Sequence, residues 1–493
     1  MDSSPAFSRF IGWSIGFVLI LLAAIGFVHL GADFPNHSRW IDDAAKFTDE
    51  GWYASGALNH HLTGHWTVPG DFNPIVTIPV WPVLLAATFH FTGISVAVAR
   101  GIAFAFTLCT VLAGGALVGQ RHRNLAPLFM LLLLGSPILY AFSRIAILEP
   151  ALLFFLTAAA LAASAPAPIR LGRLLLCGIL FTLAMLTKSS AAFAAPGILY
   201  LLWFNSRLSG QHSRMRLRTI AIPFATVVAM YGVYWFFAIR THQTDVRVLY
   251  EQNVPYLGLK SIGKAIRIVY RSFTWIDPVL FPVAVLAILA SFHRRLRPLW
   301  KDPLFGFAVI TYVGYSGFLL LHFDAGPRYF AVLVLPVMLV VLLFLDTVAQ
   351  LPGWTPKALT ALVGLTIAAN IVFILATMRH PDYTLSEANR AILRQMESDR
   401  EVDPSITPLI IGHGAKESTF FTGIQALDDI GDTAVAQKLA TYHPGWLVTY
   451  SDNLALTERP GVAGHFTFTA EGQYKVFDNP SRQYLLLYRI HPN

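Results

Sequence analysis

Eleven apolar runs separated by polar segments constrain this 493-residue chain more than any other feature. They cover residues 11–30, 101–118, 125–142, 150–163, 174–186, 191–204, 220–239, 279–292, 304–321, 329–345 and 358–378. A spanning helix needs about 17 to 25 mainly apolar residues. Several runs are shorter, and the Ser, Thr and single charges at their flanks are expected to extend them. Hydrophobic residues make up 55% of the chain and charged ones only 13%, against about 25% charged in a soluble domain. The fold class expected is therefore mainly α, a polytopic membrane helix bundle of about 11 spans. Cys109 and Cys177 both lie inside runs, so no disulfide framework is implied. The first run has no clear small-residue cleavage site and reads as an uncleaved helix.

Orientation follows from Lys and Arg. With the N-terminus in the cytoplasm, the inner segments hold Arg9, Arg121, Arg123, Arg170, Arg173, Arg207, Arg214, Arg216, Arg218, Arg294, Arg295, Arg297, Lys301 and Lys357. The outer segments are less than half as dense in such residues, the positional bias that sets topology. The prediction is N-in, C-out. Residues 75–93 resemble a further span, but Pro79, Pro82 and His90 suit a helix lying in the interface. Residues 31–100 are accordingly taken as one long external loop. Arg173 and Arg207 can both be cytoplasmic only if residues 174–204 cross twice, as a hairpin with Lys188 at its outer tip.

That topology collects ionisable residues from distant parts of the chain on the outer face. They are Asp49-Glu50, Arg100, Ser143-Arg144 with Glu149, Lys188, the 240–275 loop, and His322-Phe323-Asp324 leading to Arg328-Tyr329. Charges at helix ends in lipid are costly and usually functional. A carboxylate can act as general base toward a hydroxyl or amine, and cations can stabilise a phosphate that gains charge as it leaves. The combination suits transfer of a group from a phosphate carrier to a nucleophile outside the cytoplasm. Each residue also has an ordinary reading. Asp49 and Glu50 can open a surface helix, where the dipole favours acids. Arg100, Arg144 and Lys188 can snorkel to headgroups, and Glu149 before Pro150 can simply start a helix. His60, His61 and His65 lack a Cys or regular ligand spacing, so a surface role is expected for them.

The order of these stretches resembles the GT-C superfamily of polyprenyl-phosphate-sugar-dependent glycosyltransferases. Within it, the likeness is to the branch holding protein O-mannosyltransferases and the lipid A aminoarabinose transferase. Asp49-Glu50-Gly51-Trp52-Tyr53-Ala54 resembles that branch's Asp-Glu motif, and Phe91-Thr92-Gly93 with Ala97-Val98-Ala99-Arg100 its Phe-Gly … Ala-Ala-Arg stretch. Ser143-Arg144-Ile145-Ala146-Ile147-Leu148-Glu149 is similar to its Ser-Arg-x-x-x-Leu-Asp stretch. Leu186-Thr187-Lys188 and Arg328-Tyr329-Phe330 ahead of Leu335-Pro336 resemble two more. The likeness covers roughly residues 10–345. It departs at Glu149, where the family usually has Asp, and at Asp71-Phe72-Asn73-Pro74, where the family's Lys-Pro-Pro lysine is missing.

The resemblance implies an external cavity under the first long loop, with Asp49 as the base and Glu50 or Glu149 orienting the acceptor. Arg100, Arg144, Lys188 and Arg328 would bind the donor phosphate, and Tyr53, His322 and Tyr329 the substrate. The partners implied are a polyprenyl-phosphate-linked sugar donor, a lipid, glycan or protein acceptor, and membrane lipids. No nucleic acid and no nucleotide are expected, and a divalent metal is left open. Single displacement would invert the anomeric centre. The location expected is the bacterial inner membrane, with the site on the periplasmic side. A compact tail without a retention signal favours that membrane over the endoplasmic reticulum.

Lys260, Lys264, Arg267 and Arg271, interleaved with Leu257, Leu259, Ile262, Ile266 and Val269, read as an amphipathic surface helix. Gly258 and Gly263 would let it hinge as a lid. After residue 378 the net charge changes from +12 to −4, and no run is long and apolar enough to span. Residues 1–378 are therefore expected to form the membrane module and 379–493 a small external α/β domain that binds acceptor or caps the cavity. Its predicted elements are helices at 386–396 and 432–442, strands at 408–412 and 446–450, and a hairpin of 474–477 with 484–489 across Asn479-Pro480-Ser481. The competing function is a transporter or flippase of lipid-linked glycans, which would want mid-membrane charges and an internal repeat. A glycan polymerase or ligase would place its site in a late loop.

Overall fold

The computed structural model describes residues 5–34, 40, 43–165, 168–208, 212–253, 262–322, 326–429, 432–451, 462, 464–477 and 482–493. The apolar runs are helical there. Five helices are long and apolar enough to cross a membrane: Val96–Gly119, Ser213–Ile239, Pro303–Leu321, Pro327–Ala349 and Thr355–Met378. Shorter apolar helices span Gly12–Gly26, Val80–Thr92, Arg123–Leu134, Glu149–Ala163, Leu171–Thr187 and Leu280–Ala290. The helix Val334–Ala349 is buried along nearly its whole length, so it forms the centre of the bundle. Ser213–Tyr234, with Thr219 and Pro223 its only buried residues, lies at the edge.

Local chemistry sets the breaks. The run 125–142, expected as one helix, divides into Ala126–Leu134 and Pro137–Phe142. Proline lacks the N–H of a continuing helix and suits a first turn, so the chain stops at Gly135-Ser136 and restarts. Residues 171–208 form Leu171–Thr187 and Ala195–Leu208 around a tight turn of helix at Ser189–Ala194, with Lys188 at the break. The 13 residues of Val80–Thr92 reach only about 20 Å, short of the roughly 30 Å hydrocarbon core. That helix packs Trp81, Leu85 and Phe89 inward beside Asp49–Thr63. The amphipathic helix expected in the 240–275 loop is present at Ile262–Arg271, with Ile262, Ile266, Val269 and Tyr270 exposed. The start of that pattern, including Leu257, Gly258, Leu259 and Lys260, lies outside the described residues, as do Phe323 and Asp324.

The C-terminal residues build a five-stranded sheet on helices Thr384–Val402, Ala415–Thr422 and Asp432–Tyr442. Its strands are β1 (Leu409–Ile411), β2 (Gln425–Leu427), β3 (Trp446–Tyr450), β4 (Phe466–Lys475) and β5 (Tyr484–Pro492), in the order β2-β1-β3-β5-β4. β1 runs parallel to β2 and β3, while β5 is antiparallel to β3 and β4. The expected hairpin is there, with Tyr474 opposite Leu485. Its connection at Asn479-Pro480-Ser481 lies outside the described residues. β4 starts earlier than expected, at Phe466: Phe466-Thr467-Phe468-Thr469 alternates apolar and polar residues ahead of the polar Glu471-Gly472-Gln473.

The sheet does not stand apart from the first long loop. Phe47 joins Trp446, Val448, Tyr450 and Leu487 in one apolar cluster, and its carbonyl accepts from the Tyr450 hydroxyl at 2.8 Å. The Asp33 carboxylate accepts from the Thr384 N–H (2.7 Å) and hydroxyl (2.6 Å), and so caps the helix that follows the last long apolar one.

Candidate active site

Four stretches close around one cavity of about 640 Å³. They are the start of Asp49–Thr63, the break at 188–190, the start of Pro327–Ala331, and the turn 412–417 of the C-terminal sheet. Each is the end of a helix or strand, where side chains can point along the axis into a shared space. Asp49, Tyr53, Lys188, His322, Arg328 and Tyr329 all line it. The structure therefore brings together six of the ten residues singled out from sequence.

Arg328 is held between two carboxylates. Its Nη1 is 2.8 Å from Asp43 and its Nη2 is 2.9 Å from Asp49, while its own N–H donates to Asp43 at 2.9 Å. Asp43 is nearly fully buried, so the pair fixes the guanidinium, and Asp49 keeps an edge toward the cavity. Burial pushes the Asp49 carboxyl above the ordinary aspartate range; Arg328 opposes that shift and the Asp43 charge adds to it. A carboxylate displaced upward in this way is a better proton acceptor than a free one. Burial likewise raises the Tyr53 hydroxyl well above 10, so Tyr53 stays neutral.

Lys188 stands across from this pair. Its ammonium contacts Glu149 Oε1 at 2.5 Å and lies 4.1 Å from the centroid of the Tyr329 ring, with Tyr53 at 6.0 Å. Glu149 is buried and opens its helix just before Pro150. It reaches the site through Lys188 and does not line the cavity itself. The rings of His322 and Tyr329 lie 4.9 Å apart, and Lys264 from the amphipathic helix donates to the His322 carbonyl.

Glu50 and Arg100 form the wall behind Asp49. Both are buried, in a two-pronged pair at 2.8 and 2.5 Å, and Glu50 also accepts from the Ala146 N–H. Arg100 further donates to the carbonyls of Leu30 and Ala32. With its donors spent on protein atoms, Arg100 is placed to brace the site from behind the cavity. Arg144 is not brought to Asp49 at all. It lines a different cavity with His29, Tyr140 and Met378. His60 stacks on Trp66 with centroids 4.1 Å apart, and among the described residues no group of three or more His, Cys, Asp or Glu is arranged to hold a metal ion.

Sequence reasoning missed four contributors. Asp43 had no motif to mark it. Glu417, from the C-terminal part, is fully buried against the Glu50 wall and accepts from the Gly51 N–H at 2.6 Å. Burial, with the charge of Glu50 beside it, holds its carboxyl well above the ordinary glutamate range. Gly51 permits this approach, since a Cβ there would stand 2.2 Å from the Glu417 nitrogen. His413, 3.7 Å from Asp429, lines the cavity on a turn at Gly414 with φ +93°. Lys416 lines it too, but its ammonium is committed to Asp71 at 2.8 Å, where Lys438 also pairs at 2.7 Å. Burial tends to raise the Asp71 carboxyl, but the two lysines outweigh it and hold the group below the usual range. The advance signals were Asp71, an acid where the resembling family carries a lysine, and the expectation that residues 379–493 cap the cavity.

Comparison with known proteins bears on the fold. The family model "Dolichyl-phosphate-mannose-protein mannosyltransferase" matches residues 79–250. No curated protein sequence matches the chain. Among solved structures, ArnT from Cupriavidus metallidurans bound to undecaprenyl phosphate is similar over 97% of this chain and 98% of its own, with TM-score 0.61 and 14% identity. The Archaeoglobus fulgidus oligosaccharyltransferase AglB, in complex with an inhibitory peptide and a dolichol-phosphate, covers 97% of this chain and 74% of its own (TM-score 0.56, 12% identity). The mycobacterial arabinofuranosyltransferase AftD covers 96% of this chain and 40% of its own (TM-score 0.51, 11% identity). At these identities the structural likeness establishes the fold, which is that of GT-C enzymes. Taken with the mannosyltransferase-family match over residues 79–250, it makes this chain similar to the membrane glycosyltransferases of the GT-C superfamily.

Proposed function

We propose that the protein moves a sugar from a polyprenyl-phosphate donor to an acceptor hydroxyl or amine in the cavity of Asp49, on the outer face of a bacterial inner membrane. Asp49 accepts the proton of the acceptor as its oxygen or nitrogen bonds to the anomeric carbon. The bond from that carbon to the phosphate oxygen breaks, and its electron pair leaves with polyprenyl phosphate. Lys188 and Arg328 meet the charge that develops on the leaving phosphate. One displacement inverts the anomeric centre. Glu50 and Arg100 hold Asp49 from behind, Glu149 sets Lys188, and Tyr53, His322 and Tyr329 shape the sugar pocket.

The observation that carries this reading is the meeting of an upshifted Asp49 with Lys188 and Arg328 around one cavity. ArnT, which shares the fold, is a structure bound to undecaprenyl phosphate, and AglB one with dolichol-phosphate. The topology N-in, C-out goes with the reading, and so does a capping role for the C-terminal part, whose His413 and Glu417 line the cavity. The test is transfer of labelled sugar from polyprenyl-phosphate-sugar by the purified protein. Asp49→Asn is expected to lower turnover by about two to four orders of magnitude, and Glu149→Gln to weaken it through Lys188. Normal turnover by both folded variants would sink the proposal.

A further inference from the structure

A second cavity, of about 330 Å³, opens between the end of Pro5–Gly26, the short helix Pro137–Phe142 and the end of Thr355–Met378. Its apolar lining comes from Phe34, Trp40, Pro137, Ala141, Phe373 and Ile374. Phe373 and Ile374 lie a turn or more inside their helix. The polar lining comes largely from beyond helix ends: His29, Arg144 and His380 each follow one. The cavity thus carries polar groups where helices end and hydrocarbon along their bodies, the profile of an amphiphile lying at headgroup depth.

Two of its polar side chains, Arg144 and Tyr140, keep a buried polar atom without a hydrogen-bond partner among the described residues. Arg144 donates through Nη2 to the Val28 carbonyl and lies against the Met378 sulfur, but its Nε is buried with no hydrogen-bond partner among the described residues. No carboxylate among the described residues pairs with it. Asp33, also in the lining, is occupied by the Thr384 N–H and hydroxyl and the Leu385 N–H. Tyr140, beneath the guanidinium at 5.8 Å, is 4% exposed, and its hydroxyl has no partner among the described residues. Buried donors left unpaired are costly, and native proteins rarely keep them without a ligand or water to meet them.

We propose that this cavity binds an anionic phospholipid of the surrounding bilayer. Its phosphodiester sits on Arg144 and the Tyr140 hydroxyl, and one acyl chain runs along Trp40, Phe373 and Ile374. A single unmatched cation suits a phosphodiester with one charge better than a phosphate monoester with two. The segment 143–149 separates this cavity from that of Asp49: Ile145 lines one and Leu148 the other, and the buried Glu50 holds the Ala146 N–H between them. The lipid therefore does not reach the reacting atoms. It joins the ends of the apolar helices Pro5–Gly26 and Thr355–Met378 to the short helix Pro137–Phe142, and so stabilises the folded chain by mass action.

The full-length protein, purified in a neutral detergent, is given phosphatidylglycerol, phosphatidylcholine or polyprenyl monophosphate in turn, and retained lipid is read by native mass spectrometry. The wild type is expected to keep phosphatidylglycerol over phosphatidylcholine and to melt higher with it. Arg144→Gln is expected to lower that retention about tenfold, the weight of one charge-assisted bond, while Arg144→Lys keeps part of it. Thr377→Trp fills the cavity from its helical wall without touching the guanidinium, and is expected to lose the lipid as well. Equal retention of phosphatidylglycerol by the wild type and Thr377→Trp would overturn the proposal, and that variant decides the matter if Arg144→Gln does not fold. Displacement of phosphatidylglycerol by polyprenyl monophosphate in the wild type would overturn it too, by making the occupant the carrier lipid. Sugar transfer is not needed for any of these readouts, so failure here is separate from failure of the transfer reading.

Discussion

Asp43 and Asp49 share one cation, since Arg328 stands 2.8 Å from the first and 2.9 Å from the second. Asp43 therefore bears on Asp49 in two ways: it fixes the guanidinium, and its charge makes a second negative charge on Asp49 harder to form. Asp43→Asn removes both. The loss of a charged hydrogen bond, about 1.5–3 kcal/mol, should lower transfer roughly tenfold, well short of the loss in Asp49→Asn. The sign of the pH effect is separate. Without Asp43 the Asp49 carboxyl falls toward the ordinary range, so the acidic limb of the rate profile should move to lower pH. Arg328→Met should move it the other way. A pH profile of kcat/KM for the three proteins decides, and an unmoved limb in both variants would mean that Asp49 is not the group being titrated.

Glu417 makes a prediction about stability. Its carboxyl is held well above 4.5 in the folded protein by burial and by Glu50. The native state then keeps a proton that the unfolded chain releases, so the stabilisation is present below about 4.5 and is lost as pH rises through the folded value. Asp428, raised to about 6, acts in the same direction. Glu417→Gln stays neutral and can still accept from the Gly51 N–H. Its melting temperature should therefore fall less than that of the wild type between about pH 5 and 8. Parallel curves for the two proteins would show that Glu417 does not carry the dependence.

Gly51 tests the same contact sterically. A methyl group there meets Glu417 N at 2.2 Å and the Lys416 carbonyl carbon at 2.3 Å. Those are backbone atoms that cannot turn aside, so Gly51→Ala should cost at least about 1–3 kcal/mol and open the junction between the first loop and the C-terminal part. Limited proteolysis of the C-terminal part should speed up in Gly51→Ala and remain slow in Gly56→Ala. At Gly56 the new methyl meets the Ile75 side chain, at 2.9 Å, and no backbone.

The helices were legible because the lipid-facing surface requires long apolar runs, and the break at Lys188 followed from the need to keep Arg173 and Arg207 on one side. The meeting of Asp49, Lys188, Arg328 and Tyr329 was legible for the same reason: topology puts the ends of their helices on one face. The family match over residues 79–250 and the shared fold both favour the enzyme reading over the transporter. Asp43 and Glu417 were not legible, because a buried acid beside an arginine or a backbone N–H has no pattern in sequence. Arg144 shows the limit of a motif. It stands five residues before Glu149, yet the segment between them divides two cavities, so proximity in sequence did not place it in the site. Only the end of β4, from Tyr474, was legible; its first part lies before the register shift at Ala470–Gly472, on an edge strand with both faces partly exposed.

Asp71 ties the first loop to the C-terminal part through two buried ammonium groups, Lys416 at 2.8 Å and Lys438 at 2.7 Å. It also accepts from the Asp428 N–H. Removing the carboxylate alone leaves two cations without their shared partner in a dry site, and breaking a buried pair in this way costs about 3–5 kcal/mol. Asp71→Asn should therefore lower the melting temperature strongly. Replacing the set with apolar groups of similar size is often neutral, so Asp71→Leu with Lys416→Met and Lys438→Met should recover most of the loss. The wild-type carboxyl is held below 3.8, so its stabilisation is full above that value and is lost as pH falls through the lowered one, opposite in sign to Glu417. If the triple variant is folded but transfers sugar poorly, the ion cluster serves the cavity wall that Lys416 lines. If it transfers normally, the cluster serves the junction alone. An Asp71→Asn protein as stable as the wild type would show that the two lysines find other partners, and that the acid standing in place of the family's lysine does not anchor the loop.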